Sequence, residues 1–153
     1  MIKILFVCLG NICRSTMAEA VMRHLINEQG LSARIVVDSA GTGNWHVGEA
    51  PHSGTRKRLA REGISTEGIF ARQITKEDIT EFDYIIGMDS DNLKNIRPYC
   101  KPEDINKACL LADFVENNRW TDVPDPWYSG DFDETYRLVR EGCEQLLARL
   151  RLS

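Results

Sequence analysis

Residues 2–15 read IKILFVCLGNICRS, and their pattern indicates how the chain begins to fold. Residues 2–7 form a short run rich in β-forming side chains, which is typical of a strand buried on both faces. Gly10 and Asn11 permit the unusual backbone angles of a tight loop. Along residues 16–28, apolar side chains recur at helical spacing. The stretch therefore predicts a strand, a loop and a helix in direct succession.

The remainder of the chain continues this alternation of strands and helices. Further strands are predicted at residues 34–39, 83–88 and 108–112. Helices are predicted at residues 53–61, from a capping box at 75–78, at 90–97 and from 133 onward. The order indicates a single α/β domain over residues 1–153, with a four-stranded parallel sheet and helices on both faces. In such sheets ligands bind beyond the carboxyl ends of the strands, where the loop at residues 8–15 lies.

Composition and charge exclude several classes of protein. The 153 residues carry a net charge of −4, with 42% apolar and 27% charged residues. This is a globular composition, and an acidic chain is not expected to have nucleic acid as its main partner. The longest apolar run, at residues 4–9, is far shorter than the ~20 residues that span a bilayer. We therefore expect a soluble, cytoplasmic protein with no nucleic-acid or membrane partner, whose five cysteines are reduced.

Cys8 and Arg14 flank the predicted loop, which has the features of an anion site. A loop that leads into a helix N-terminus aims backbone N–H groups at a phosphate-sized dianion, and the helix dipole favours the negative charge. The same field would stabilise Cys8 as a thiolate nucleophile. Arg14 offers a planar fork for two phosphoryl oxygens, and the Ser15 hydroxyl could donate to the sulfur. The alternative, a packed thiol beside a solvated arginine, explains fewer of these features.

The segment VCLGNICRS at residues 7–15 resembles the phosphate loop of the low-molecular-weight protein tyrosine phosphatases. The likeness continues, in the family's order, at residues 38–42, 45, 71–73, 88–89 and 125–128. The resemblance implies a four-stranded parallel sheet with a phosphate-binding loop between strand 1 and helix 1. It also implies metal-independent hydrolysis of phosphotyrosine and small aryl phosphates through a phosphocysteine intermediate, with no cofactor. The partner would be a tyrosine-phosphorylated protein, and the chain is expected to be a monomer or weak dimer.

The family's roles carry over to the positions that match its motifs. The resemblance assigns the nucleophile to Cys8, the phosphate-binding arginine to Arg14 and the general acid to Asp125. It places a further set of loop residues around the phosphate, namely Leu9, Gly10, Asn11, Ile12, Cys13 and Ser15.

Asn11 and Ser39 resemble the polar pair that holds this loop in shape in the family. One position departs from the pattern, because many relatives have a histidine where this chain has Ile69. The hydrogen bond that this histidine gives to the loop asparagine is therefore expected to be absent or replaced.

The chemistry expected of Asp125 is also consistent with its neighbours. A phenolate leaving group needs a proton and the phosphocysteine needs an activated water, so one carboxyl that changes role between the steps suffices. Pro124 and Pro126 restrict the backbone around Asp125, which prepositions the acid. Turn chemistry is the alternative for an Asp-Pro pair. With the resemblance, Asp125 is favoured over the other acids of this region, Asp122, Asp131 and Asp133.

Trp45, Trp127 and Tyr128 lie in predicted loops, where aromatic walls for a phenyl ring are found. The alternative is that they cover the edge of the core. The histidines, His24, His46 and His52, show no metal spacing and are predicted to be surface residues. Cys100 and Cys109 have no partner at zinc spacing, so no metal site is expected.

Cys13 has a predicted redox role. If the loop curls around a phosphate, Cys13 approaches Cys8 and could capture an oxidised Cys8 as a disulfide. The alternative is that Cys13 fills a small apolar space.

Three other functions compete with the prediction of a tyrosine phosphatase. An arsenate reductase of this fold would need further cysteines to relay a disulfide, and residues 83–88 contain none. A protein arginine phosphatase has threonine at the position of Ile12, whose bulkier side chain suits an aryl ester better. A phosphate-binding or redox module without turnover would not need an acid at Asp125.

Overall fold

The structure is a computed structural model that describes residues 1–116 and 119–152. Its strands are β1 (Ile2–Cys8), β2 (Ile35–Gly41), β3 (Tyr84–Gly87) and β4 (Ala108–Leu110). Its α-helices are α1 (Arg14–Glu28), α2 (Ser53–Ala60), α3 (Lys76–Glu81), α4 (Ser90–Ile96), α5 (Pro126–Ser129) and α6 (Phe132–Leu152). Short 3₁₀ turns lie at Arg97–Tyr99, Pro102–Lys107 and Leu111–Phe114.

The four strands form one parallel sheet in the order β2-β1-β3-β4. Strand β1 lies inside the sheet, paired with β2 on one side and β3 on the other. Successive side chains of a strand point to opposite faces. Accordingly Ile4 and Phe6 enter one hydrophobic cluster, whereas Leu5 and Val7 enter another. The apolar run at the start of the chain is therefore buried on both faces, as predicted.

Helices cover both faces of this sheet, which confirms the predicted α/β class. The larger cluster contains apolar residues of α1 and α6, including Val21, Val139 and Leu146. The smaller cluster contains Ile79 of α3 and Ile96 of α4. Helix α1 packs against β1 and β2, α4 packs against β3 and β4, and α6 packs mainly on α1. This layering removes apolar surface from water.

Several element boundaries differ from the prediction. Helix α1 begins at Arg14 rather than at residue 16, and β2 extends to Gly41. Strand β4 ends at Leu110, because Leu111–Phe114 turns into a 3₁₀ helix. The predicted loop around residue 126 contains the short helix α5, with Pro126 in its first turn. Proline has a backbone angle suited to that position and lacks only an N–H that would have no partner there. Within the described ranges, no helix is both long and apolar enough to cross a bilayer.

Candidate active site

The loop between β1 and α1 curls at the carboxyl edge of the sheet. Asn11 has a φ of 56°, and no other non-glycine residue in the described part of the chain has a positive φ. Helix α1 begins directly after Cys13, which makes no side-chain cap. The N–H groups of its first turn therefore remain directed at the loop. The loop borders a pocket of about 240 Å³, lined by Cys8, Leu9, Gly10, Ile12, Cys13 and Arg14.

Cys8 lies at the end of β1 and is 3% exposed. Its Sγ is 2.9 Å from Ser15 Oγ. The same Ser15 oxygen accepts a hydrogen bond from Asn11 Nδ2 at 2.8 Å. Ser15 therefore keeps its own proton to donate to a Cys8 thiolate, which is the role predicted for it.

Asn11 is the centre of a buried network that supports the loop. Its Nδ2 donates to Ser39 Oγ at 2.9 Å as well as to Ser15, and its Oδ1 accepts the backbone N–H of Arg72 at 2.9 Å. Ser39 in turn donates to the Glu19 carboxyl at 2.6 Å. Both amide hydrogens and the carbonyl oxygen of Asn11 thus have partners without a histidine.

Two of the sequence predictions concern this network, and the structure shows where their residues lie. Ile69 packs in the larger hydrophobic cluster, and the Arg72 N–H and Ser39 hold Asn11 instead. Asn11 and Ser15, which the resemblance places around the phosphate, have fully buried side chains that do not line the pocket. They support the loop from behind, where Asn11 contacts both Ser15 and Ser39 of β2.

Arg14 projects from the first turn of α1 and is buried. Its Nη1 donates to Asp89 Oδ2 at 2.5 Å and to the Val123 carbonyl at 2.9 Å, and its Nη2 lies 3.5 Å from Asp125 Oδ2. Burial by itself lowers the pKa of the guanidinium, but the charges of Cys8, Asp89 and Asp125 outweigh burial, so the pKa is raised. The fork therefore remains cationic beside Cys8.

Asp125 caps the N-terminus of α5, where its Oδ1 accepts the Trp127 N–H at 3.0 Å. The carboxyl lines the same pocket as Cys8. The capping bond and the following Pro126 hold the carboxyl at the mouth of the loop. The position is that required of the predicted general acid.

The other acids of this region bind elsewhere. Asp122 accepts the Ser90 N–H at 3.1 Å, and Asp131 accepts the Glu134 N–H at 2.9 Å. Asp133 pairs with Arg58 at 2.7 Å. None of the three lines the pocket that contains Cys8.

The three predicted aromatic residues form the rim of the pocket. Trp45, Trp127 and Tyr128 are 67%, 54% and 78% exposed and line it together. The Trp45 ring lies over Gly43, where a Cβ would be 1.9 Å from the nearest ring atom. Such exposed aromatic faces are more typical of a ligand wall than of a core edge.

The sequence analysis gave no role in this site to four of its residues, although Arg72 and Asp89 lie in segments that resemble the family. His46, predicted to be an ordinary surface histidine, lines the pocket and packs against Trp127 with ring centroids 5.7 Å apart. Asp89 anchors Arg14, Glu19 closes the network behind the loop, and Arg72 bridges Asp38 and Asp78 at 3.0 and 2.9 Å. The place of Asp89 in the sequence could have indicated its role, because it directly follows a predicted strand and ligands bind at that edge of the sheet.

Cys13 is 4% exposed and lines the pocket. Burial, together with the charges of Cys8 and Asp125, raises the pKa of its thiol to about 12. All five cysteines are free thiols. Within residues 1–116 and 119–152, no group of three or more His, Cys, Asp or Glu side chains is placed to hold a metal ion.

Comparison with known proteins identifies relatives along almost the full chain. Residues 3–153 match the sequence model of the low molecular weight phosphotyrosine protein phosphatase family. Over 151 residues the chain is 50% identical to the low molecular weight protein-tyrosine-phosphatase YfkJ of Bacillus subtilis, covering 99% of this chain and 97% of that protein. The crystal structure of YfkJ superimposes with a TM-score of 0.96, covering 99% of this chain and 95% of that chain.

Two further solved structures share the fold at lower identity. A protein tyrosine phosphatase from Entamoeba histolytica is 36% identical, with a TM-score of 0.92 and coverage of 99% and 97% of the two chains. A Drosophila arginine phosphatase is 33% identical, with a TM-score of 0.89 and coverage of 98% of each chain. Since the matched residues 3–153 contain the loop, the Asp-Pro segment and the aromatic rim described above, the chain belongs to the low molecular weight phosphotyrosine protein phosphatase family.

Proposed function

We propose that this protein is a protein tyrosine phosphatase that works without a metal ion, through a phosphocysteine at Cys8. The observation that carries the proposal is one pocket that brings together Cys8, Arg14 and Asp125 beneath an aromatic rim. A phosphate-sized dianion fits a curled loop of N–H groups, and a phenyl ring fits between aromatic side chains.

In the first step the Cys8 thiolate attacks the phosphorus of the aryl phosphate. The sulfur–phosphorus bond forms and the phosphorus–oxygen bond to the phenol breaks. Asp125 donates its proton to the departing oxygen, so that a neutral phenol leaves. Arg14 binds two equatorial oxygens as charge develops on them, and exchanges its Asp125 contact for the phosphoryl group.

In the second step a water molecule attacks the phosphocysteine. Asp125, now ionised, accepts a proton from that water, and the phosphorus–sulfur bond breaks. The Ser15 hydroxyl, 2.9 Å from Sγ, stabilises the departing thiolate by a hydrogen bond. Inorganic phosphate leaves and the thiolate is ready for the next cycle.

The first test combines a chelator with a variant of the nucleophile. Wild-type protein is expected to hydrolyse a small aryl phosphate equally well with and without EDTA. Cys8→Ser should reduce turnover below about one part in a thousand while phosphate binding persists, because the N–H groups and Arg14 remain. Residual turnover above that level would remove Cys8 as the nucleophile.

The second test concerns the leaving group. Asp125→Asn is expected to slow hydrolysis by roughly 10²–10⁴ for phenols of high pKa, and by less for strongly acidic phenols that leave without a proton. Asp122→Asn is the matched control, since that carboxyl accepts the Ser90 N–H outside the pocket. A loss that is equal across leaving groups would show that Asp125 is not the acid.

Phosphoarginine is the informative competing substrate, because an arginine phosphatase shares this fold. Ile12 lines the pocket, and its branched apolar side chain packs better on an aryl ring than on a guanidinium. We expect kcat/KM to favour the phosphotyrosine peptide. A monomer or weak dimer, a cytoplasmic location and a tyrosine-phosphorylated protein partner remain predictions alongside this function.

A further inference from the structure

A second groove, of about 410 Å³, lies beside the catalytic pocket. It runs along the segment before α2 and the first turn of that helix. Ile12, His46 and Trp127 line both cavities and form the boundary between them. The second cavity is therefore adjacent to the first, within reach of the residues that neighbour a bound phosphotyrosine.

The boundary is held by several independent contacts. The Trp127 ring lies between two imidazoles, with centroid distances of 5.7 Å to His46 and 5.7 Å to His52. His52 also stacks on Phe132 at 5.2 Å. The backbone N–H of His52 donates to the Ile12 carbonyl at 2.7 Å, which ties the groove to the phosphate loop. These contacts connect the groove to the loop that follows Cys8.

A backbone hydrogen bond identifies which ring nitrogen of His52 carries the proton. Its Nδ1 accepts the Gly54 N–H at 2.9 Å, so that Nε2 carries the ring proton. This leaves an N–H donor on the side chain of a residue that lines the groove.

The charges of the groove are distributed unequally. The Arg56 Nε donates to the Pro51 carbonyl at 2.9 Å, and this is the one hydrogen bond of the Arg56 side chain within the described residues. Its two terminal nitrogens are therefore available to a ligand. The carboxylate of the groove, Glu49, already binds His46 Nδ1 at 3.0 Å. A chain with a net charge of −4 thus presents a guanidinium beside its candidate active site.

We infer that this groove is a subsite for an acidic residue that neighbours the phosphotyrosine of a protein substrate, with Arg56 as its specificity-determining residue. The inference rests on the proposed phosphatase function. A carboxylate can form an ion pair with the guanidinium of Arg56 and accept a hydrogen bond from the N–H of His52. A lysine side chain would instead be repelled by the positive charge of Arg56. Because these contacts are remote from the reacting atoms, they act on binding and therefore on KM rather than on kcat.

The test uses phosphotyrosine peptides that differ at one neighbouring position, with Glu, Gln or Lys there, together with a small aryl phosphate that has no neighbour. At low ionic strength, kcat/KM for the Glu peptide should exceed that for the Gln peptide by about two- to fivefold, the scale of an exposed ion pair. The Lys peptide should be poorer than both. Added salt should reduce the difference.

Variants of Arg56 locate the effect. Arg56→Ala should make the Glu and Gln peptides equivalent, and Arg56→Glu should reverse the preference toward Lys, while the rate with the aryl phosphate is unchanged. The matched control is Lys57→Ala, since Lys57 follows Arg56 on α2 but lines a different surface. Equal kcat/KM for the Glu and Gln peptides, or a preference that persists in Arg56→Ala, would overturn the inference. Absence of aryl phosphate hydrolysis would instead overturn the proposed function, so the two failures are distinguishable.

Discussion

Glu19 carries a carboxyl group inside the protein, behind the phosphate loop. The residue is 8% exposed, and its nearest partner is the Ser39 hydroxyl at 2.6 Å. Burial raises the pKa of this carboxyl to about 7, although the Ser39 hydrogen bond and the charges of Arg23 and Arg72 oppose the shift. Glu19 therefore changes its charge close to neutral pH, at one end of the network that reaches Cys8.

This pKa predicts a pH dependence of stability. Between its ordinary pKa of 4.5 and about 7, Glu19 holds a proton in the folded state that it has lost in the unfolded state. The free energy of unfolding should therefore decrease as the pH rises through this window, by on the order of 3 kcal/mol, and level off above it. Glu19→Gln removes this titration and should flatten the profile, as measured by denaturant unfolding from pH 4.5 to 8.

Exposed Glu67 provides the control, because Glu67→Gln should leave that slope unchanged. A Glu19→Gln variant with the wild-type slope would show that another group titrates in this window.

Cys13 remains the predicted redox partner of Cys8. Peroxide converts the Cys8 thiolate to a sulfenic acid, and the Cys13 thiol then forms the disulfide with loss of water. The raised pKa of Cys13 keeps it protonated at neutral pH, and one cause of that shift, the charge of Cys8, disappears on oxidation. Wild-type protein should recover its activity after reduction, whereas Cys13→Ser should recover poorly. Equal recovery, with no Cys8–Cys13 link by peptide mass analysis, would leave Cys13 as a packing residue.

At the level of elements, α4 begins at a residue with two functions. Asp89 is the N-cap of α4, and its Oδ1 accepts the Asn92 N–H at 2.7 Å. Its other oxygen holds Arg14 of α1 at 2.5 Å. One carboxylate therefore fixes the start of a helix and orients the phosphate-binding guanidinium of another helix.

Two substitutions separate these functions. Asparagine caps helices as well as aspartate but carries no charge, so Asp89→Asn should keep the cap and lower kcat/KM about tenfold or more through a less ordered Arg14. The melting temperature should fall only through the lost ion pair with the buried Arg14. Asp89→Ala should lose both the helix cap and the contact with Arg14, and loss of the cap should destabilise the protein by an additional amount of about 1 kcal/mol. Kinetics and thermal unfolding of the two variants measure this. Full activity in both would show that Arg14 is oriented without Asp89.

At the level of the whole molecule, the site joins segments that are far apart in sequence. Cys8 ends β1, Ser39 lies in β2, Asp89 follows β3, and Asp125 lies beyond β4. These segments form or support the pocket only in the folded state, so a dianion binds the folded protein and not the unfolded chain. Binding and global stability are therefore coupled.

Phosphate is accordingly expected to raise the melting temperature. At a concentration 100 times its Kd the stabilisation is ~2.7 kcal/mol, which corresponds to a shift of roughly 5–10 °C for a protein of this size. Arg14→Lys removes the planar fork and should reduce the shift strongly. Differential scanning calorimetry with chloride at equal ionic strength is the control. An equal shift in chloride would indicate a general salt effect rather than a bound dianion.

Local patterns predicted most of the elements and part of the site. The apolar run at residues 2–7 and the spacing of α1 depend on near neighbours, so they could be predicted without the fold. The end of β4 could not, because it depends on pairing with β3. Helix α5 was predicted as a loop although its cap, Asp125, and Pro126 in its first turn are near neighbours. Residues within one loop, such as Cys8 and Arg14, could likewise be predicted together, whereas Asp89 and Glu19 could not.

The α/β class and the phosphate loop could be predicted from the chain, because the alternation of strand and helix patterns and the order Cys-Leu-Gly-Asn are properties of contiguous residues. The surroundings of that loop depend on the folded arrangement. Asn11 has its partners on β2 and near Arg72, Arg14 is held from α4 and the Asp-Pro segment, and the charge state of Glu19 depends on burial. The physical reason is that hydrogen-bond partners and desolvation are set by distances in space, which residue order does not specify until the sheet brings the strand ends together.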